Sequence, residues 1–375
     1  MKKTLIALAI ASAVSAPAFA ATSNVDIYGV LNLSVNYTDP DANQPALLTT
    51  GTGGQDTSFG IASNASRIGF KGAEDLGGGL AAIWQIESGL NIDEQNGSFA
   101  SRNSYVGLKG GFGTVLMGNH DTPMKLIGRM VDNFGDTAAD SRNILGAIDT
   151  GATAYDLRTK NTVAYVTPNF SGFTVTAAYV TDWNNTSSTS NVDATASTGA
   201  GLDNNSANAY SINGVYSNGP LMLGAAYELH NGFTSNSNSD MWRIVAGYDI
   251  AGFKLAGLYE QMSGDGSTSA QSRDAYGLFA SYGMGAWTFK GNYLAANESD
   301  AVHSGVTGND GADQWTIGAD YSLSKRTIVY GFYTAVSNDT YGGYGLGANS
   351  AVSDVTVGNM GSSPTAFSLG VKHSF

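Results

Sequence analysis

The sequence predicts an all-β chain closed into a 16-stranded antiparallel barrel that crosses a membrane with its strands. Three observations point there. Short segments with a single apolar parity recur from about residue 24 to the last residue, and such period-two alternation turns one side of a strand to an apolar medium and the other to water. The connections alternate between short turns and long polar loops. Tyr, Phe and Trp gather at both ends of the segments. Composition agrees, because 49 Gly, 19 Tyr and 15 Phe with only 7 Pro and 13% charged residues suit strands that touch lipid and turn tightly.

The chain opens with Lys2 and Lys3, runs through the apolar "TLIALAIASAVSA", and offers Ala18 and Ala20 just before Ala21. That three-part build predicts a secretory signal peptide over 1–20, with an apolar run too short to span a bilayer. Residues 21–375 are then expected to form one barrel. There is no cysteine, so an exported chain of this size is held together without disulfides. The formal net charge is −13 and becomes −15 when Lys2 and Lys3 leave with the signal. This excludes nucleic-acid binding by bulk charge. Past the signal, no apolar run reaches the ~18 residues of a membrane-spanning helix.

Sixteen strands follow, over about 24–37, 59–74, 79–91, 101–110, 114–120, 158–168, 173–181, 208–217, 221–230, 240–250, 253–260, 273–282, 287–295, 312–322, 327–336 and 364–375. The hairpin "MWRIVAGYDI-AG-FKLAGLYE" (241–260) illustrates the reading: Trp242, Ile244, Ala246, Tyr248 and Ile250 share one parity before the turn, and Phe253, Leu255, Gly257 and Tyr259 after it. An even number suits a closed antiparallel barrel, and sixteen leave a water-filled bore where about eight would be plugged by side chains.

Turns at 75–78, 110–113, 169–172, 218–220, 251–252, 283–286 and 323–326 are short, whereas 38–58, 92–100, 121–157, 182–207, 231–239, 261–272, 296–311 and 337–363 are long. Short turns on one side and long loops on the other characterise outer-membrane barrels. The stretch 181–208, rich in Ser, Asn, Thr and Gly without a period, reads as a loop. Tyr216, Tyr248, Phe253, Tyr282, Trp287, Tyr321 and Phe375 fall on the turn side, and Tyr37, Tyr179, Tyr227, Tyr259, Tyr293, Trp315 and Phe332 on the loop side. Amphipathic rings favour the headgroup zone, so two belts are expected.

The stretches "SRIGFKGAEDLGGGL" (66–80), "SRNSYVGLKGGFGTVLMG" (101–118), "NTVAYVTPNFSGF" (161–173), "YSLSKRT" (321–327) and the ending "GVKHSF" resemble the general diffusion porins of Gram-negative outer membranes, closest to the β-proteobacterial branch. The resemblance implies a channel for passive diffusion of small hydrophilic solutes and ions, a homotrimer with its first strands at the subunit interface, and a third external loop folded into the bore. It also implies contact with outer-membrane lipid and lipopolysaccharide. The last strand and Phe375 are then read by the barrel assembly machinery.

Within the third loop, 121–157, "DNFGDTAAD" (132–140) is similar to the family's Pro-Glu-Phe-Gly constriction motif, with Asp132 and Asn133 at the places of Pro and Glu. Asp132 and Asp136 are the expected eyelet acids. Arg67, Arg102 and Arg158 match family positions on the facing wall, and Lys71, Lys160 and Arg129 complete the expected constriction set. Arg67 is out of register with Ile68 and Phe70, as a lumen residue must be. Arg102 shares parity with Val106 and Leu108, which leaves its orientation open. Basic wall and acidic loop would set a transverse field that orients polar solutes.

Other functions find little support. His120, His230, His303 and His373 are scattered, so no nucleophile–base constellation and no transition-metal site is expected. Glycines in "GAEDLGGGL" sit at a turn with no helix after them to hold phosphate, and no cofactor is expected. A substrate-specific channel is the alternative, but the inward parities carry Arg, Lys, Glu, Gly and Thr where an aromatic slide would be needed. A soluble periplasmic β-protein conflicts with the belts and with the loop asymmetry.

Overall fold

A computed structural model describes residues 24–40, 57–94, 96–146, 155–181, 208–234, 237–264, 272–303, 305–347 and 360–375. The secretory-signal segment and most of the connection 181–208 lie outside the described residues. All sixteen expected strands are present in one closed antiparallel barrel. They are β1 (Asn24–Asp39), β2 (Ser58–Ser63 continued by Arg67–Gly77), β3 (Leu80–Asn91), β4 (Ser104–Gly110), β5 (Gly113–Asp121), β6 (Arg158–Val166), β7 (Phe173–Val180) and β8 (Asn208–Asn218). The second half comprises β9 (Leu221–Thr234), β10 (Ser237–Ile250), β11 (Phe253–Gly264), β12 (Arg273–Met284), β13 (Trp287–Ala296), β14 (Ala312–Ser322), β15 (Thr327–Asn338) and β16 (Thr365–Ser374).

Each strand pairs with its sequence neighbours, and β1 closes the ring against β16 from Val30↔Ser374 to Asp39↔Thr365. Closure removes every unpaired ladder edge, which a wall in lipid requires. β2 is one strand with a break at 64–66, where Ala65 takes φ 52°, so its two halves pair with successive parts of β1. The turn after β2 carries Gly77, Gly78 and Gly79 in a row, all with positive φ (83°, 61° and 80°), a backbone that side chains disfavour.

The two faces separate as the alternation predicts. On β1, Val25, Ile27, Leu31, Val35 and Tyr37 are exposed outward while Asn32, Ser34, Asn36 and Thr38 are buried inward. The belt aromatics pair across neighbouring strands, in register or diagonally: Phe253 stacks on Tyr282 at 4.3 Å and Trp287 meets Tyr321 at 4.8 Å on the turn side. On the loop side Tyr179 meets Tyr210 at 4.9 Å and Trp315 meets Tyr333 at 5.3 Å. Cross-strand aromatic pairs of this kind also stabilise the sheet.

The apolar core lies inside the barrel, where the third loop packs on the wall. The loop opens with a short helix, α1 (Pro123–Arg129), whose N-cap Thr122 accepts from the Lys125 N–H at 3.3 Å. Met124, Ile127, Phe134, Ile144 and Leu145 are buried in one cluster with Val245, Leu258, Phe279, Leu294 and Phe332 of the wall. Apolar residues at inward positions of β10 to β15 therefore serve to seat this loop.

Candidate functional site

The sequence places charged side chains on inward parities of β2, β3 and β6 and on the third loop, and the fold brings them together. Arg67 begins the lower half of β2. Its Nη1 lies 3.5 Å from Asp136 Oδ2 on the loop, and its Nε lies 3.9 Å from Glu87 Oε2 on β3. Glu87 also accepts from Arg102 Nε at 2.6 Å and from the Tyr28 hydroxyl at 2.9 Å. Asp136 meets Arg129 Nη2 at 2.7 Å, and Asp140 accepts from Arg129 at 3.0 Å and from Arg142 at 2.8 Å. The result is a continuous chain of alternating sign, Arg102–Glu87–Arg67–Asp136–Arg129–Asp140–Arg142, that ties wall to loop. A second cluster lies beside it: Arg158 and Lys125 each approach Asp121 to 3.0 Å, and Arg158 donates to the Asn103 side chain at 2.7 Å.

In place of a basic row separated from an acidic row, Asp136 is within ion-pair reach of both wall and loop bases. Burial pushes its carboxyl up, but Arg129, Arg67 and Arg142 outweigh burial and hold it below the ordinary carboxylate value. Asp140 is likewise held low against burial by Arg142 and Arg129.

Asp132 takes a different place. Its Oδ1 accepts from the Phe134 N–H at 2.9 Å and its Oδ2 from the Ser141 N–H at 3.1 Å and hydroxyl at 3.0 Å, so this carboxylate brackets the loop internally where an eyelet acid was expected. Burial, reinforced by the charge of Asp140, pushes it up to about 6. Lys125 is driven down to about 8 by burial, against the pull of Asp121.

Arg102 turns inward because β4 starts only at Ser104, so the parity of Val106 and Leu108 does not extend to it. Lys71 lies over the inward Tyr28 ring at 5.3 Å. Lys160 is exposed next to Asn161, whose φ is 55°, and joins none of these ion pairs. Phe375 exchanges backbone hydrogen bonds with Gly29, both at 3.1 Å, at the closing seam.

Asp121, Lys125, Asp140 and Arg142 of the third loop join the network although they were outside the expected constriction set, and three wall participants were missed as well. Glu87 interrupts the apolar run "LAAIWQIESGL" and Arg243 interrupts "MWRIVAGYDI", and a charge in mid-strand opposite an apolar parity is the signal that finds both. Lys290 on β13 pairs with Asp320 at 2.8 Å and lies over the Phe134 ring at 4.6 Å, while Phe332 meets that ring edge-on at 5.6 Å. The loop apex is thus held by a cation and an aromatic ring. Asn133 adds a hydrogen bond to Asn292 at 3.0 Å.

Comparison with known proteins gives the same picture. The model of the Gram-negative porin family matches residues 6–341. The chain is 30% identical over 335 residues to major outer membrane protein P.IB of Neisseria meningitidis, with 87% of this chain and 91% of that protein covered. It is also 30% identical to outer membrane porin protein 32 of Delftia acidovorans, with both chains fully covered. Among solved structures, the anion-selective porin from Comamonas acidovorans superposes with a TM-score of 0.71 at 26% identity, covering 94% of this chain and 100% of that one. An OmpF of Salmonella typhi, at 17% identity and a TM-score of 0.62, shares the fold.

Proposed function

Because this chain belongs to the Gram-negative porin family and forms a channel in the outer membrane, we propose that its eyelet is the mixed charge network between β2, β3, β6 and the third loop, and that it favours small anions. One observation carries this reading. The network holds six bases (Arg67, Arg102, Lys125, Arg129, Arg142 and Arg158) against four acids (Glu87, Asp121, Asp136 and Asp140), an excess of positive charge in the proposed eyelet. Four of its arginines also keep more exposure than its acids, with Arg67 at 22%, Arg129 at 29% and Arg102 and Arg158 at 19% beside Asp121 at 15% and Asp136 at 14%, while Arg142 is buried at 10%. The similarity to a porin named for anion selectivity supports the same sign.

Transport is passive. Hydrated solutes move down their gradient, and pore width and lining charge set the rates without chemistry. The remaining partners belong to the same proposal: a homotrimer, outer-membrane lipid and lipopolysaccharide around it, the assembly machinery acting on the last strand, and a signal over residues 1–20 that directs export. A substrate-specific channel has no observation in its favour.

Reversal potentials across a salt gradient in planar bilayers test the eyelet. The wild type should prefer anions, and replacing Arg67, Arg102 and Arg158 with serine should shift the potential toward cations and raise conductance. Lining charges act over about 8 Å at physiological ionic strength and about 3 Å at 1 M salt, so the shift should shrink as salt rises. An unchanged potential at low salt would mean these side chains do not line the conducting path.

A further inference from the structure

The third loop is also fastened at a place the eyelet network does not reach. Arg243, on β10, is fully buried at 0% exposure. Its Nη1 and Nη2 donate to the two Asp156 oxygens at 2.6 and 2.8 Å, and its Nε and Nη2 donate to Glu260 Oε2 at 2.9 and 2.6 Å. Its remaining hydrogen bond runs from Nη1 to the Met124 carbonyl at 3.2 Å. A guanidinium has five N–H donors, so this one is fully engaged.

Its partners span the whole loop. Met124 belongs to α1 at the start and Asp156 stands at the end, while Glu260 Oε1 accepts from the Gly146 N–H between them at 2.7 Å. Gly128 lets α1 lie directly on the guanidinium, since a Cβ there would meet Arg243 Nη1. One cation therefore gathers the beginning, the middle and the end of the loop onto one wall. A buried cation held by two carboxylates is costly to remove, because Asp156 loses its close ion-pair partner and Glu260 keeps only the longer approach of Arg273 at 4.0 Å in a low-dielectric site.

We infer that Arg243 is the latch that fixes the constriction loop, a positioning residue for passage that bonds to none of the charges proposed to line the eyelet. Loosening it turns a steady constriction into a fluctuating one. This inference rests on the reading of the third loop as the constriction.

The test uses the full-length protein with Arg243→Met, Arg243→Lys and Asp156→Asn. The chain has no cysteine, so Ala138→Cys, buried at 1% exposure where the loop meets the wall, gives a unique reporter of loop release. With the latch intact the thiol should resist a water-soluble reagent. Labelling should rise about tenfold or more in Arg243→Met, as expected when a buried pair loses one partner, and by less in the other two variants. Single-channel records should show more frequent closing events in the same order, with the barrel still folded. Should Arg243→Met fail to fold, Asp156→Asn and Arg243→Lys decide the matter. Parental labelling and parental fluctuation in both would overturn the latch. A wild type that conducts no ions would overturn the porin reading, while the labelling would still report on the latch.

Discussion

Asp132 and Asp136 stand four positions apart on one loop and do opposite work. Asp136 takes φ 61°, a turn conformation that aims its carboxylate at Arg67 and Arg129, whereas Asp132 folds back on Phe134 and Ser141. No period distinguishes two aspartates in an irregular loop, which is why their directions were not legible in the sequence. Arg67, by contrast, was legible as an inward residue from parity alone. A first prediction follows from the raised carboxyl of Asp132. With a folded-state value of about 6 against an ordinary 3.8, the folded loop binds more protons than the unfolded chain between those values. Its contribution is fully present below about pH 4 and is lost as pH rises through 6. Open-channel noise should therefore grow from pH 4 to pH 7 in the wild type, and Asp132→Asn, neutral throughout, should flatten that dependence. Identical pH profiles would refute the assignment. Asp136→Asn should instead leave Arg67 and Arg129 less compensated and strengthen anion preference, read as a reversal-potential shift opposite in sign to that of the triple serine variant.

At the scale of elements, the closing seam rests on a fit between a ring and a glycine. A Cβ at Gly29 would lie 2.8 Å from Phe375 Cε1 and 2.7 Å from the Arg67 carbonyl, so β1 accepts the terminal aromatic only because that position is bare. Tyr330 covers Gly370 and Tyr28 covers Gly69 in the same manner, a pairing that restores packing where a strand lacks a side chain. Gly29→Val should lower the yield of folded barrel and its resistance to heat, seen as a smaller compact fraction on gels run without boiling. Overpacking of this kind typically costs 1–3 kcal/mol. Deleting Phe375 removes both reciprocal backbone bonds and should reduce insertion further than a substitution such as Asn185→Ala. Equal folded yields would count against a role for the seam. The strands themselves were legible to within a few residues, apart from the break at 64–66 and the late start of β4. Both are local backbone departures, and an alternating pattern carries no signal for them.

For the whole molecule, barrel closure, strand number and most belt positions could be read directly, because lipid and water impose a two-residue period on every strand; Phe332, expected in the loop-side belt, instead points inward and packs on Phe134 of the third loop. The filling of the bore could not. An apolar residue at an inward position, such as Leu294 or Phe332, looks like noise in the alternation until the loop that covers it is placed. Phe59 at 76% exposure and Ile61 at 53% on β2, with Val25 and Ile27 on β1, give the first strands an apolar outer face suited to subunit packing. Native mass measurement in detergent should accordingly find three copies, and a single copy alone would refute the proposed trimer.

The ladder between Val30 and Ser374 joins positions about 340 residues apart. Contacts so remote are slow to form, and here the first strand waits for the last to be synthesised. Until it arrives, β1 and β15 each present a bare row of amides and carbonyls able to recruit any other strand. A chain interrupted before residue 365 is therefore a sticky open sheet, not a narrower channel, so termination short of the last strand should yield aggregate or degradation and never partial permeability.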